Sequence, residues 1–181
     1  MAKFFLPNIE SDLWEAKFDW VKLGKITVLA TRFLDNTIDA NKYATKDIEE
    51  MTKATRKIGL GVMGFADLLI ELQISYVSET AKNVAEKLMK YIRQIADKTS
   101  LELGAKRGHF PAWSESDYAI HNPYRNACRL SIAPTGTISM IADTSSGIEP
   151  TFSLAWQKSN VLEGHSFFFV NKFFEADAQK A

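Results

Sequence analysis

The most informative stretch of the sequence reads Ser131-Ile132-Ala133-Pro134-Thr135-Gly136-Thr137-Ile138-Ser139. A strand-like apolar run ends at Pro134, a compact Thr-Gly-Thr turn follows, and residues 138–142 can start a helix. A helix start offers unpaired backbone N–H groups and the positive end of the peptide dipoles, which attract anions. Two threonine hydroxyls and a glycine that admits a ligand to the backbone favour a phosphate-binding loop. An ordinary strand-to-helix turn, with Thr135 or Thr137 as the helix cap, fits the same residues equally well.

Composition restricts the class of protein without choosing it. The 181 residues are 46% hydrophobic and 24% charged, which is typical of one soluble globular unit. The 22 basic and 22 acidic side chains cancel, so nothing in the charge favours a nucleic-acid partner. The start of the chain is too short in apolar residues for a secretory signal, and no later stretch is long enough to cross a membrane. A single cysteine, Cys128, excludes an internal disulfide framework and suggests the cytoplasm.

Hydrophobic periodicity predicts an irregular lead-in over residues 1–12 and then three long helices. The first runs from about Leu13 to Asp39, the second from a cap at Thr45 or Asp47 to about Leu72, and the third from Ser78 to a stop at Gly108. The apolar residues expected to face the core are Val21, Ile26, Leu29, Phe33 and Ile38 on the first helix and Val84, Leu88, Ile92, Ile95 and Leu103 on the third.

The pattern changes after residue 108. Alternation predicts a strand over residues 127–133, with Cys128, Leu130 and Ile132 on its buried face, and a second strand is expected over residues 151–157. An aromatic segment, residues 161–174, either packs into a core or marks a surface that meets another molecule. So few strands indicate part of a larger fold, in which unpaired edges would favour self-association.

The segment Gly59-Leu60-Gly61-Val62-Met63-Gly64 fits the G-x-G-x-x-G fingerprint of dinucleotide-binding proteins. That fingerprint requires a strand before it and a helix after it. Here a charged helical run precedes the glycines and helix is expected to continue after them, so the Rossmann interpretation, and with it a nicotinamide-binding protein, is rejected. The glycines are predicted to allow close packing against another element.

Other reactive side chains give weaker signals. The three histidines, His109, His121 and His165, are scattered and show no metal-ligand spacing. Cys128 is expected to be a small buried side chain rather than a nucleophile, because its neighbour Arg129 points to the opposite face of the predicted strand. Glu149 lies in a polar turn, where a carboxylate usually faces solvent.

Several ordered segments together resemble the catalytic subunit of ribonucleotide reductase, and in particular its adenosylcobalamin-dependent class II. The segments are Arg32–Asn36, Arg56–Leu68, Arg107–Pro111, Arg125–Ala127, Ser131–Ser139, Ser145–Pro150, Asn160–Leu162, and Asn171 with Phe174 and Glu175. The resemblance covers nearly the whole chain beyond the first dozen residues. Class I subunits typically carry a Ser-Glu pair where this chain has Thr135-Gly136, so the loop favours class II.

The resemblance implies an α/β fold: a helix-rich part of a ten-stranded barrel, with residues 13–107 mainly helical and residues 108–181 supplying strands and loops. The complete enzyme makes deoxyribonucleotides for DNA synthesis by radical reduction of the ribose 2′-hydroxyl. In the family the Pro-Thr-Gly-Thr-Ile stretch binds the substrate phosphates, which corresponds here to Pro134, Thr135, Gly136, Thr137 and Ile138. The cofactor of the complete enzyme would be adenosylcobalamin, and binding by this chain alone is doubtful.

The chain also departs from the family. It lacks the Asn-Pro-Cys-Gly-Glu loop of the radical cysteine, and one thiol cannot serve both as radical carrier and as dithiol reductant. We therefore expect the chain to begin after the radical loop, to end before the cysteine tail and to be inactive alone. Its partners would be a ribonucleotide and the missing amino-terminal part. The alternatives are a non-catalytic helical module that binds partners through its aromatic tail, and a fragment of a class I large subunit.

Overall fold

The computed structural model describes residues 13–16, 18–120, 122–159 and 166–179. The predictions for residues 1–12, His121, residues 160–162 and His165 lie outside this part of the chain. The described helices are α1 (Leu13–Ala16), α2 (Trp20–Ala40), α3 (Lys46–Thr55), α4 (Phe65–Glu71), α5 (Glu79–Arg107), a 3₁₀ helix (Pro111–Glu115), α6 (Gly136–Ile141) and α7 (Lys172–Ala178). The strands are β1 (Ala155–Lys158) and β2 (Phe167–Val170).

The chain forms two compact units, each made of separate stretches of sequence. The helical unit consists of Asp12–Gly61 and Lys82–Ala133. Of the described residues, the loop unit contains Val62–Ala81 and those that follow Ala133. Helix α5 starts in the loop unit and continues into the helical unit. Residues 62–81 therefore belong to the same unit as the carboxy-terminal loops.

The first predicted helix is interrupted between α1 and α2. The carboxylate of Asp19 accepts a hydrogen bond from the backbone N–H of Lys22 at 2.8 Å and so caps the new start at Trp20. Gly24 lies inside α2, where a Cβ atom would stand 2.7 Å from the Tyr91 hydroxyl oxygen. That hydroxyl donates to the carbonyl of Trp20 at 2.9 Å. The glycine is therefore a close-approach position between α2 and α5.

Helix α2 buries its polar face, contrary to the prediction. Its buried residues are Gly24, Thr27, Thr31, Asp35 and Ile38. Of the expected core stripe only Ile38 is buried, and the exposed members are Val21, Ile26, Leu29 and Phe33. The buried threonines satisfy their hydroxyls on α2 itself, since Thr27 donates to Leu23 O at 2.9 Å and Thr31 to Thr27 O at 2.8 Å.

The second predicted helix is also wrong as one element. Thr45 caps α3 as expected, but α3 ends where Arg56 adopts the left-handed conformation with φ 46°. The chain then runs without helix to Gly64, and Leu60 forms a parallel bridge with Leu130. Gly64, with φ 80°, starts α4. Helical periodicity did not reveal the break because the apolar spacing continues through it.

The third predicted helix is confirmed as α5. Ser78 Oγ accepts from the backbone N–H of Ala81 at 3.1 Å, and Gly108 follows the helix with φ 84°. Val84, Leu88, Ile92 and Leu103 are buried and Ile95 is half-buried. Caps and periodicity agree here, which is why the sequence located both ends.

The strand predicted over residues 127–133 is reduced to the single bridge at Leu130, and its predicted pattern of burial fails at residues 128, 129 and 132. Cys128 and Ile132 are exposed and Arg129 is buried. Arg129 Nε donates to Asp97 Oδ1 at 2.8 Å, and the guanidinium carbon lies 4.2 Å from the centre of the Tyr124 ring. Burial of a paired and stacked arginine thus replaces the expected burial of cysteine.

The loop unit contains the only regular sheet of the described residues, an antiparallel pair in which Ala155 lies opposite Val170 and Lys158 opposite Phe167. The second predicted strand is therefore found, four residues later than its expected start at Thr151. Phe65, Ala66, Leu69 and Leu72 of α4 and its end are buried. Among the described residues, no helix combines the length and apolar character needed to cross a bilayer.

Candidate functional site

The predicted phosphate loop starts helix α6. The helix begins at Gly136, two residues before the expected start at Ile138, and Thr135 precedes it with φ 54°. The N–H of Ser139 bonds to Thr135 O at 2.9 Å. Among the described residues no hydrogen bond from the N–H groups of Gly136, Thr137 and Ile138 is found. Three unpaired amides therefore stand together at this end of α6.

The two threonines of the loop have different surroundings. Thr135 Oγ1 accepts a hydrogen bond from the backbone N–H of Gly147 at 2.7 Å, so this side chain holds a neighbouring turn and does not cap α6. A hydroxyl that accepts one bond can still donate its own proton. Thr137 and Ile138 are exposed, and a Cβ atom on Gly136 would meet nothing within 4 Å. The loop is open to an approaching ligand.

Two serines stabilise the loop through hydrogen bonds. Ser139 is buried, its Oγ lies 2.8 Å from Ser146 Oγ, and it donates to Gly136 O at 3.2 Å. The Thr135 bond to Gly147 and this serine pair connect the first turn of α6 to the turn of residues 145–147. The site is consequently built from two segments that the sequence separates by about ten residues.

Asp67 fixes the same turn against the start of α4. Its Oδ2 accepts from the N–H of Ser145 at 2.7 Å and from Thr144 Oγ1 at 2.9 Å. In return Ser145 Oγ accepts from the N–H of Asp67 at 3.3 Å, and Ser145 O accepts from the N–H of Gly64 at 2.8 Å. Asp67 is buried, so this carboxylate is a structural support for the loop and was missed by the sequence reasoning.

A cavity of about 500 Å³ lies beside the loop, within the loop unit. Its lining includes Asp67, Gly136, Ser139, Ser145, Glu149 and Lys172. Thr137 and Ile138 are not among the lining residues, so the free amides and the cavity meet only at Gly136. Lys172 already donates to Asp143 O at 2.6 Å. Because carboxylates outnumber cations around it, the cavity itself is a poor place for a phosphate.

The glycines of the G-x-G-x-x-G segment pack against protein, as predicted, although they do not lie inside a helix. A Cβ atom on Gly61 would stand 2.6 Å from Ser131 O, and one on Gly59 would collide with the Ser131 side chain. The charged helix α3 precedes the glycines and no strand lies between it and Gly59, which agrees with the rejection of the fingerprint, although the segment between α3 and α4 is not helical as expected. The space that a pyrophosphate would need beside Gly59 and Gly61 is filled by Ser131.

The remaining candidates show no reactive arrangement. The His109 ring stacks on Trp113 at 4.6 Å, and its Nδ1 lies 3.0 Å from Phe110 O. Within the described ranges, no group of three histidine, cysteine or acidic side chains could hold a metal ion. Glu149 is exposed, as expected for a carboxylate in a turn. Cys128 is exposed as well, which contradicts its predicted burial.

A buried charge cluster accounts for several of the family-like segments. Arg56 Nη2 donates to Asp35 Oδ1 at 2.8 Å, Asn126 Nδ2 donates to the same oxygen at 3.0 Å, and Arg107 Nη1 reaches Asp35 Oδ2 at 3.2 Å. Arg56 also binds the carboxylate of Asp39 at 2.8 Å. The hydrogen bond from Arg56 holds the pKa of Asp39 below its ordinary value of 3.8. This cluster holds α2, the end of α5 and residue 126 together and is structural.

Residues 1–123 and 120–181 match the family model described as the ribonucleotide reductase barrel domain, and the chain belongs to this family. It is 48% identical over 160 residues to the vitamin B12-dependent ribonucleoside-diphosphate reductase of Thermoplasma acidophilum, covering 88% of this chain and 21% of that protein. The protein of the same name from Mycobacterium tuberculosis is 45% identical over 168 residues, covering 93% and 24%.

A ribonucleoside-diphosphate reductase subunit alpha of Chlamydia muridarum is 31% identical over 192 residues, covering 85% of this chain and 18% of that protein. The chain thus spans between about a fifth and a quarter of the length of the relatives it matches. The resemblance read from the sequence is confirmed at the level of the family. The closer likeness is to relatives named for vitamin B12.

Proposed function

We propose that this chain forms part of the catalytic barrel of a ribonucleotide reductase and binds the phosphate of the substrate at residues 134–138. The observation that supports this most directly is the group of three unpaired N–H groups at Gly136, Thr137 and Ile138. They lie at the positive end of α6, and the space beside Gly136 is open, since a Cβ atom there would meet nothing within 4 Å. The substrate proposed is a ribonucleoside diphosphate, as in the names of the relatives.

Each residue of the loop has a separate task in this proposal. The three amides donate to phosphate oxygens, Thr137 adds its hydroxyl, and Pro134 sets the approach of the chain to the turn. Thr135 donates its proton to the phosphate while still accepting from Gly147, so the ligand and the turn of residues 145–147 are joined through one oxygen. A charge-assisted hydrogen bond contributes about 1.5–3 kcal/mol in a closed site and less in a loop exposed to water.

Reduction of the ribose requires groups that this stretch does not carry. Replacing the 2′-hydroxyl by hydrogen, with loss of water, consumes two electrons, which a pair of thiols can supply by forming a disulfide. The 181 residues contain one cysteine. We therefore propose that the radical cysteine and the dithiol belong to other parts of a longer protein, and that this chain alone binds nucleotide without reducing it.

The cavity beside the loop does not fit the cofactor named in the relatives. A cavity of about 500 Å³ suits a ligand of drug-like size, whereas cobalamin is far larger. The 500 Å³ cavity is also lined by several carboxylates, with no histidine among its lining residues. No step of the proposed function is assigned to the cofactor here.

Calorimetric titration with a ribonucleoside diphosphate tests the loop. Thr137→Val removes an exposed hydroxyl and Gly136→Val places a branched side chain beside the amides, so each is expected to weaken binding by about three- to tenfold. Thr37→Val, on the exposed side of α2 in the other unit, is the matched control and is expected to bind like the wild type. The corresponding ribonucleoside without phosphates is expected to bind much more weakly.

The assignment of the loop is wrong if the diphosphate binds and neither loop variant differs from Thr37→Val. If neither nucleotide nor nucleoside binds, the second candidate gains support: a non-catalytic module that acts through protein contacts. Phe168 of the aromatic segment is 77% exposed, which favours that candidate.

A further inference from the structure

The solvent-exposed side of α2 carries a stripe of large apolar side chains. Val21, Ile26, Leu29 and Phe33 are 67%, 52%, 69% and 65% exposed. Each helical residue turns the chain by about 100°, so Ile26, Leu29 and Phe33 fall within about 60° of one another. From Ile26 to Phe33 these three side chains span about 10 Å along the helix. Three large apolar side chains on one side of a helix, with Val21 also exposed nearer its start, are typical of a surface that meets another molecule.

The opposite side of α2 cannot substitute for the stripe as the apolar contact. It buries a glycine, two threonines and Asp35, whose polar groups are already satisfied inside the helical unit. Turning α2 over would place the carboxylate of Asp35 in solvent and separate it from Arg56. The stripe therefore stays outside while the helical unit is folded, where it is available to a second molecular surface.

Basic residues surround the stripe. Lys22, Lys25 and Arg32 are exposed on the same side of α2, and none has an ion-pair partner among the described residues. No carboxylate lies between Val21 and Phe33 on this helix. A second copy that docks the same stripe about a two-fold axis would oppose positive charges to positive charges. The charge pattern fits an apolar groove with acidic side chains at its rim.

We propose that the stripe is the surface through which this chain docks onto the remaining part of a longer ribonucleotide reductase, with acidic residues of that part facing Lys22, Lys25 and Arg32. We choose this partner because the chain matches a barrel-domain family but covers only 21–24% of the length of two relatives. In those relatives the other three quarters of the protein are available to contact the stripe. The inference rests on the proposed function but uses the helical unit, not the phosphate loop.

The probe is the Thermoplasma acidophilum reductase from which its 160 matched residues are deleted, mixed with this chain. Leu29→Glu and Phe33→Glu are each expected to weaken the complex by at least about tenfold. Ile120→Glu, at an equally exposed apolar residue of the same unit, is the control and is expected to change affinity less than about twofold. Lys25→Glu is expected to weaken binding, and Lys98→Glu on α5 is not.

A second measurement is independent of how well the deleted relative folds. In a chimera, this chain replaces the matched 160 residues, and the melting temperature is measured. Leu29→Glu is expected to lower it and Ile120→Glu to leave it unchanged. Circular dichroism of the isolated chain is expected to show the same helix content for both variants, because both side chains already face water.

Three results would overturn the inference. The first is an equal effect of Leu29→Glu and Ile120→Glu in both measurements. The second is sedimentation of the chain alone as a dimer that Leu29→Glu dissociates, which would make a second copy the occupant. The third is binding to anionic lipid vesicles that depends on Lys25 and Leu29. None of these results affects nucleotide binding at residues 134–138, so failure here is distinguishable from failure of the proposed function.

Discussion

At the scale of single residues, Asp35 has the largest consequences for stability. Its side chain is fully buried, and so is nearly all of Arg56, at 4% exposure. A buried ion pair adds little by itself, because both charges lose their hydration, but removing one partner leaves the other charge buried and unpaired. The contact therefore specifies where α2 and the end of α3 meet.

Asp35→Ala is expected to lower the free energy of unfolding by about 3–5 kcal/mol, because Arg56 keeps its burial and loses its main partner. Asp39→Ala is the matched control, since Asp39 also binds Arg56 but its side chain is 53% exposed. It is expected to cost far less. Urea denaturation followed by circular dichroism measures both. Equal losses in the two variants would show that burial does not decide the outcome.

The charge on Asp39 predicts that the free energy of unfolding depends on pH. The hydrogen bond from Arg56 lowers its pKa below 3.8 in the folded chain, while the unfolded chain keeps the ordinary value. The stabilisation that ionised Asp39 provides is thus complete at a pH above its pKa in the unfolded chain. It is lost as the pH falls through its lower pKa in the folded chain. The difference in unfolding free energy between wild type and Asp39→Asn is expected to be constant from about pH 5 to pH 7 and to shrink below pH 4.

The measurement is urea denaturation of both proteins across that pH range. A difference that grows as the pH falls would contradict the direction assigned to the pKa of Asp39.

At the scale of secondary-structure elements, two glycines have different roles. Gly61 lies where the extended segment after α3 pairs with residues 130 and 131, and its missing Cβ leaves room for a backbone carbonyl. Gly136 opens α6 and has free space around it. The same residue type therefore allows close packing at one site and ligand access at the other.

Gly61→Ala is expected to destabilise the chain by about 1–3 kcal/mol, because the new methyl group would stand 2.6 Å from Ser131 O and the backbone must move. Gly136→Ala is expected to remain within about 0.5 kcal/mol of the wild type. Thermal unfolding of the two variants side by side gives the comparison. If the two melting temperatures agree, the close packing of residues 61 and 131 is not a constraint on folding.

The elements that the sequence predicted well are those with local signals. Helix α5 has a serine cap, a continuous stripe and a glycine stop, and its bounds follow from these alone. The break after α3 depends on Arg56 reaching Asp35, which lies 21 residues earlier, and no local pattern records that contact. The reversed faces of residues 128 and 129 have the same origin, since Asp97 and Tyr124 draw Arg129 inward.

At the scale of the whole molecule, the candidate site was predicted in part. The sequence indicated the turn at residues 134–138, and the structure locates a helix start there. It did not indicate that Thr135 holds Gly147 or that Asp67 holds Ser145, because these pairs lie 12 and 78 residues apart. Family membership was recognisable from short ordered segments, several of which supply the structural contacts of Asp35.

The surroundings of Asp35 also bear on the order in which the chain folds. Its partners Arg56, Arg107 and Asn126 are 21, 72 and 91 residues away along the chain. Contacts between residues so far apart close large loops, and the entropy lost in closing them delays their formation. We therefore expect the carboxylate of Asp35 to be enclosed after α2 and α5 have formed. Loss of this carboxylate should accelerate unfolding more than it slows folding.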